Sequence, residues 1–260
     1  MTDSTELTPT IDLIQKHRSI RKYLPDPIPR TMIEAIVAAS QRSSTSSNLQ
    51  AYSVIAVIAE DKRKSLATLC GNQAFIAQAP VFLAWCADYS RLRRVCDLCG
   101  YTPITGYVEN FLVAAVDAAI AMQTATIAAE SLGLGMCYIG GIRNKPHEIK
   151  DLLELPDLVF PISGMTLGWP DEERALKPRL PLEAILHWEK YDRSNEDESL
   201  LNYDQRMVAT GIYKGRQVPD PNKPGEMQNY GWLEHTARRT SRVIRAHLKQ
   251  TLEEIGFELK

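Results

Sequence analysis

The stretch 108–141, VENFLVAAVDAAIAMQTATIAAESLGLGMCYIGG, decides how this chain folds. Apolar residues fall on most faces from Val108 to about Leu132, which predicts one long helix. Leu112, Val116, Ala119, Ile120 and Ile127 are its candidate buried positions. A helix apolar all round lies at the centre of a domain or in a subunit interface. Asp117, Gln123 and Glu130 make 111–134 a poor bilayer span and a good buried helix. Gly133 and Gly135 end it by supplying positive-φ backbone. Met136–Ile139 then reads as a strand closing on Gly140-Gly141. Two absent side chains would let a flat ligand lie against backbone amides there, although a plain strand-to-loop turn has the same sequence.

Working outward, Thr8-Pro9 starts a short helix with Ile11 and Ile14 facing inward. It ends at the basic run His17-Arg18-Ser19-Ile20-Arg21, a concentration of fixed donors suited to an anionic or carbonyl-rich ligand. Pro25, Pro27 and Pro29 form a stiff connector, and Ile33, Ile36 and Val37 space a second helix to about Ser40. A serine-rich loop, 41–48, precedes a strand at 52–59 and a helix over 61–70. Further strands are expected at 81–87 and 159–167. Helices are expected over 195–212 and 232–257, flanking a Gly-, Pro- and Asn-rich stretch. Strands separated by helices predict a layered protein with helices against one sheet. Their order leaves parallel and antiparallel pairing open.

The 260 residues are 44% hydrophobic and 24% charged, enough apolar material for a full core. A net charge of −2 provides no global field for nucleic acid. The polar, acidic first ten residues do not read as a signal peptide. Five cysteines, an odd number, are then expected as reduced thiols in a cytoplasmic protein.

Several signatures are missing. No G-x-G-x-x-G, Walker A, G-x-S-x-G, H-E-x-x-H or EF-hand pattern occurs, so neither a Rossmann nicotinamide site nor a metal site is supported. Cys96-Asp-Leu-Cys99 lacks the second ligand pair that zinc needs. In Lys177-Pro-Arg179-Leu-Pro181 two cations alternate along a proline-stiffened segment, a geometry that suits a phosphate. Gln73 offers a donor and an acceptor to a heterocycle edge.

Taken together and in order, the basic run, the serine loop, Gln73, the stretch 128–135 leading into Tyr138-Ile-Gly-Gly141, and Leu167-Gly-Trp-Pro170 before Leu176-Lys-Pro-Arg-Leu-Pro181 resemble the nitroreductase/flavin reductase family. The likeness is to its NADPH-preferring branch. The resemblance implies an α+β fold with a central, mostly antiparallel sheet flanked by helices, in an intertwined homodimer with FMN at the subunit interface. It implies an FMN-binding core over 1–190 and a C-terminal helical extension over 191–260. By matching position, His17, Arg18 and Ser19 would hold the phosphate and ribityl end with Lys177 and Arg179. Arg21 would approach the pyrimidine edge and Gln73 the N3/O4 side. Tyr138, Ile139, Gly140 and Gly141 would lie along the ring, and Thr45, Ser46 and Ser47 would come from the partner subunit or the ribityl side.

No side-chain acid or base is then required, because hydride would pass in ping-pong turnover from NADPH through the flavin N5 to nitroaromatics, quinones or free flavin. Other readings are a dedicated FMN reductase supplying a partner, a flavin-binding protein without turnover, and a nucleotide-binding basic pocket without flavin. The nicotinamide arm departs from the family pattern. It reads Ile212-Tyr-Lys-Gly-Arg216, leaving Lys214 and Arg216 as the candidates for a 2′-phosphate and NADPH against NADH undecided.

Overall fold

The computed structural model describes residues 8–220 and 223–260. The elements are α1 (Pro9–Gln15), α2 (Arg30–Ser40), β1 (Tyr52–Val57), α3 (Glu60–Leu69), α4 (Ala74–Gln78), β2 (Val81–Asp88), α5 (Ser90–Cys99), α6 (Val108–Ser131), β3 (Gly135–Ile139), α7 (Pro146–Leu153), β4 (Val159–Gly168), α8 (Glu196–Ala209), β5 (Gln217–Pro219), β6 (Met227–Asn229), α9 (Trp232–Thr240) and α10 (Leu248–Glu254). The main sheet has the order β1-β2-β4-β3, and each neighbouring pair is antiparallel. This fixes the pairing that element order had left open.

Strand β2 is buried along its whole length, and its side chains alternate between two cores. Val81, Leu83 and Trp85 face α2 and α6, whereas Phe82, Ala84 and Cys86 face α3, α4 and α7. The fold is therefore α+β, with one sheet between two helical layers.

The orientation of α6 is the reverse of the one expected from its large residues. Its buried face is Ala114, Asp117, Ala118, Ala121, Ala125, Thr126 and Ala129. Leu112, Val116 and Ile120 are exposed at 52%, 45% and 42%, and Ala119 is exposed as well. Small side chains let the helix axis come close to the sheet, so the larger ones point away from it. Ile11 and Ile14 likewise remain exposed rather than facing inward. By length and composition α6 could cross a bilayer, but its alanine face is packed on the sheet.

Gly133 ends α6 with a φ of 81°, as expected, but Gly135 serves a different purpose. A Cβ there would lie 2.7 Å from Ile20 Cγ1, so this glycine admits the N-terminal run alongside β3.

The chain forms two compact units, one running through Arg174 and completed by Arg245–Lys260, the other comprising Ala175–Ile244. The division differs from a boundary at 190/191. The C-terminal residues belong to the first unit because Leu252, Ile255 and Phe257 bury against Leu158 and Phe160. The single helix expected over 232–257 is accordingly two, with Arg245 at a φ of 56° in the break. In the second unit α8 packs on α9, with Tyr203 edge-on to Trp232, and β5 and β6 form a hairpin.

The sheet also tests how tightly its cores are filled. A Cβ on Gly164 would overlap the buried Phe82 ring and lie 3.1 Å from Ile139 Cβ. Gly164→Ala should cost about 1–3 kcal/mol, read as a lower urea midpoint at unchanged m value.

Candidate functional site

Beyond α1 the chain runs extended beside β3. Ser19 bridges Met136 in parallel, and the Ile20 amide donates to the Met136 carbonyl at 2.8 Å. His17 Nδ1 lies 2.7 Å from Glu130 Oε1. Arg18 donates to the carbonyls of Arg174 (3.0 Å) and Lys16 (3.2 Å). The amides of Arg21 and Lys22 donate to Glu172 Oε1 at 2.6 and 3.2 Å, and Arg174 Nε pairs with the same oxygen at 2.8 Å. That pairing with Arg174 holds the Glu172 carboxyl below the usual carboxylate range. Tyr23 closes the run: its hydroxyl donates to the Ile20 carbonyl at 2.6 Å and meets Thr166 Oγ1 at 2.7 Å. Burial pushes this phenol up.

The Arg21 guanidinium lies 5.9 Å from the centre of the Phe75 ring, on the helix that Gln73 caps. Gln73 Nε2 donates to the Cys70 carbonyl at 2.7 Å. A Cβ on Gly141 would overlap that carbonyl and come within 2.9 Å of Gln73 Nε2, so Gly141 and Gln73 share one tight corner. Arg21, Gln73 and the Gly140-Gly141 turn are thus gathered by α4 and the end of β3.

The side chain of Tyr138 goes elsewhere. Its hydroxyl donates to Gln123 Oε1 at 2.9 Å and lies 2.6 Å from Thr126 Oγ1, both on α6. Strand alternation imposes this: Ile139 and Cys137 face α3 and α7, while Tyr138 faces α6. Only the backbone of Tyr138 borders the glycine turn.

The serine loop also hangs from α6. Asp117, 1% exposed, accepts from the amides of Ser46 (2.9 Å) and Ala51 (3.1 Å), and Ser43 Oγ donates to Thr124 Oγ1 at 2.7 Å. Between those anchors Ser47, Asn48 and Gln50 hold positive φ, a conformation unfavourable for residues with a Cβ. Thr45, Ser46 and Ser47 therefore sit on a loop whose path a buried acid dictates.

Two arginines were missed from sequence. Arg245 donates to the Gly140 carbonyl at 3.0 Å and to Asn144 Oδ1 at 2.9 Å. Arg143 is half-buried, and burial, followed by the nearby Arg245 charge, lowers its pKa. Arg143 follows the glycine pair closely enough to have been noticed. Arg245 gives no local signal, since it reaches the turn only through tertiary folding.

In the second unit Lys177 and Arg179 are exposed, and Arg179 Nη1 folds back to the carbonyls of Lys177 and Pro178 at 3.2 and 3.3 Å. Lys214 is exposed too, and the Arg216 guanidinium lies 5.8 Å from the Tyr230 ring centre. Cys96 and Cys99 lie on α5. Among the described residues no group of three or more His, Cys, Asp or Glu side chains could hold a metal ion.

The order and character of these segments agree with comparisons to known proteins. Residues 14–169 match the Nitroreductase family, and residues 177–260 match that family's C-terminal domain. The chain belongs to the nitroreductase family. It is 39% identical to an FMN reductase [NAD(P)H] of Bacillus subtilis, over 96% of this chain and 98% of that protein. It is 36% identical to the oxygen-insensitive NADPH nitroreductase of Salmonella typhimurium, over 96% and 99%. Among solved structures, the NADPH:FMN oxidoreductase from Vibrio harveyi complexed with NAD+ superposes with a TM-score of 0.84 at 33% identity, covering 96% and 99%. B. megaterium NfrA2 gives 0.89 at 36%, covering 98% and 100%. The nitroreductase fold expected from the motifs is thus the fold observed.

The thiols of this nitroreductase divide by burial. Cys70, Cys86 and Cys137 are buried, and burial raises all three, Cys70 to about 12. Cys99 is exposed and Cys96 partly so. At about pH 8, a thiol reagent should label Cys99 and Cys96 in the native protein and the other three only after unfolding, as peptide mapping would show.

Proposed function

We propose that this chain is an FMN-dependent NAD(P)H oxidoreductase that reduces nitroaromatics, quinones or free flavin by two electrons. One observation carries the reading: Gly141 has no room for a side chain against Gln73, and Arg21 lies over Phe75 on the same short helix. A flat heterocycle is held by an amide that both donates and accepts and by a fixed cation at its edge, and the close packing of Gly141 on Cys70 and Gln73 fixes where that amide stands. The donor set fits FMN. The family resemblance assigns Arg18, and in the second unit Lys177 and Arg179, to a phosphate carrying nearly two charges. His17 and Ser19 are assigned to the same end, Tyr138, Ile139 and Gly140 to the ring through their backbone, and Lys214 and Arg216 to the nicotinamide co-substrate.

FMN, when bound, supplies the hydride acceptor and donor. The protein places it. With FMN bound, Arg21 would hold a positive charge toward its pyrimidine edge, and Gln73 and the glycine turn would orient the ring. No side chain of this chain is assigned a proton-transfer role.

The working form is proposed to be a homodimer. Leu112, Val116 and Ile120 repeat at i, i+4 and i+8 on the exposed face of α6, and β1 is an edge strand of the sheet. Both features would be covered in a two-chain assembly. The partner chain would then bring Thr45, Ser46 and Ser47 to the site. Thiols without disulfides suit a cytoplasmic enzyme.

Purified protein should be yellow, bleach with NADPH under argon, and regain colour on adding a nitroaromatic. A colourless protein that fails to bind added FMN would refute the reading, and a yellow one that NADPH and NADH both fail to bleach would make it a flavin carrier. Arg21→Ala and Arg179→Ala should each weaken FMN binding by about tenfold or more, equivalent to at least ~1.4 kcal/mol. Val116→Asp should shift sedimentation from dimer to monomer and lower flavin occupancy with it.

A further inference from the structure

Glu172 lies outside the donor set just assigned, yet two backbone amides and a guanidinium converge on one of its oxygens. Glu172 Oε1 accepts from the Arg21 amide (2.6 Å) and the Lys22 amide (3.2 Å) and forms an ion pair with Arg174 Nε at 2.8 Å, and its side chain is only 11% exposed. The two segments are tied on either side of this point. Leu24 donates its amide to Trp169, Asp171 donates to Lys22, and the Arg18 guanidinium donates to the Arg174 carbonyl.

We propose that Glu172 is a positioning residue for the cofactor: it fixes the backbone of Arg21, and through it the guanidinium over Phe75, at the geometry the flavin edge requires. This rests on the FMN reading above. The physical argument has two parts. First, the amides of Arg21 and Lys22 take no part in the run's recorded pairing to β3, which passes through Ser19 and Ile20, and both donate to Glu172 instead. Without Glu172 they lose their acceptor, and the Arg21 backbone loses the contact that fixes it. Displacements of about 1 Å are enough to degrade such a contact severely. Second, an uncompensated acid beside an anion-binding run would repel the ligand. Arg174 cancels that charge in place, so Arg21 keeps its full positive field while its backbone is still held by a carboxylate.

The conservative variant separates these roles. Glu172→Gln keeps an oxygen that can accept both amides, whereas Glu172→Ala keeps none. FMN affinity of the flavin-depleted full chain, followed by quenching of flavin fluorescence, should fall about tenfold or more in Glu172→Ala and stay within about threefold of the parent in Glu172→Gln. Amide hydrogen exchange at Arg21 and Lys22, measured without FMN, should accelerate about tenfold or more in Glu172→Ala and not in Glu172→Gln. Parent-like affinity in Glu172→Ala overturns the proposal, as does a Glu172→Gln as weak as the alanine variant. If Glu172→Ala does not fold, Glu172→Asp, which keeps the charge but shortens the reach, should show the same loss, and parent-like binding there overturns it equally. A parent protein that binds no FMN would instead sink the flavin reading, while the exchange rates still decide whether Glu172 holds the run.

Discussion

The alanine face of α6 lies directly on the sheet, and most of the candidate site in the first unit is tied to that helix. Asp117 holds the serine loop, Thr124 meets Ser43, Gln123 and Thr126 hold the Tyr138 hydroxyl, and Glu130 meets His17. These contacts come from successive turns of one rigid rod. Their spacing is therefore set by the 1.5 Å rise per residue rather than by loops. Close approach requires small residues inward, and the same choice leaves Leu112, Val116 and Ile120 outside. One constraint thus both positions the polar anchors and creates the apolar stripe assigned to a second chain.

Acids in this fold work mainly as acceptors for backbone amides. Asp117 and Glu172 each take two amides from a segment outside the α-helices and strands, and each thereby fixes a loop or run that carries candidate ligand contacts. A charged acceptor makes stronger hydrogen bonds than a neutral one and tolerates burial when its lone pairs are filled. The surface ion pairs along α1, α2 and α3 differ: they are exposed i,i+4 contacts of small energetic weight. Position, not number, separates the two groups of acids.

Much of the architecture was legible because it is periodic. Residues 81–86 alternate between two cores, Thr8-Pro9 caps α1, and 108–131 forms a single helix, all within local reach of the chain. What could not be read was direction. Apolarity on every face of α6 conceals which face the sheet selects, and packing chose the alanines. Gly135 could be recognised as special, but only the approach of Ile20 shows that closeness rather than φ is its reason. The break at Arg245 was hidden because charged residues continue a helical pattern past the point where the chain leaves one unit for the other.

The sequence by itself determined the four strands of the main sheet, the long helix at 108–131 and, through motifs in order, the α+β nitroreductase class, because each depends on local chemistry or on motif order. Tertiary structure alone decided the antiparallel order of the sheet, the turning of Tyr138 toward α6, and the arrival of Glu172 and Arg245 at segments about 150 and 105 residues away. Those are outcomes of long-range packing, and no local window contains the energy that selects them.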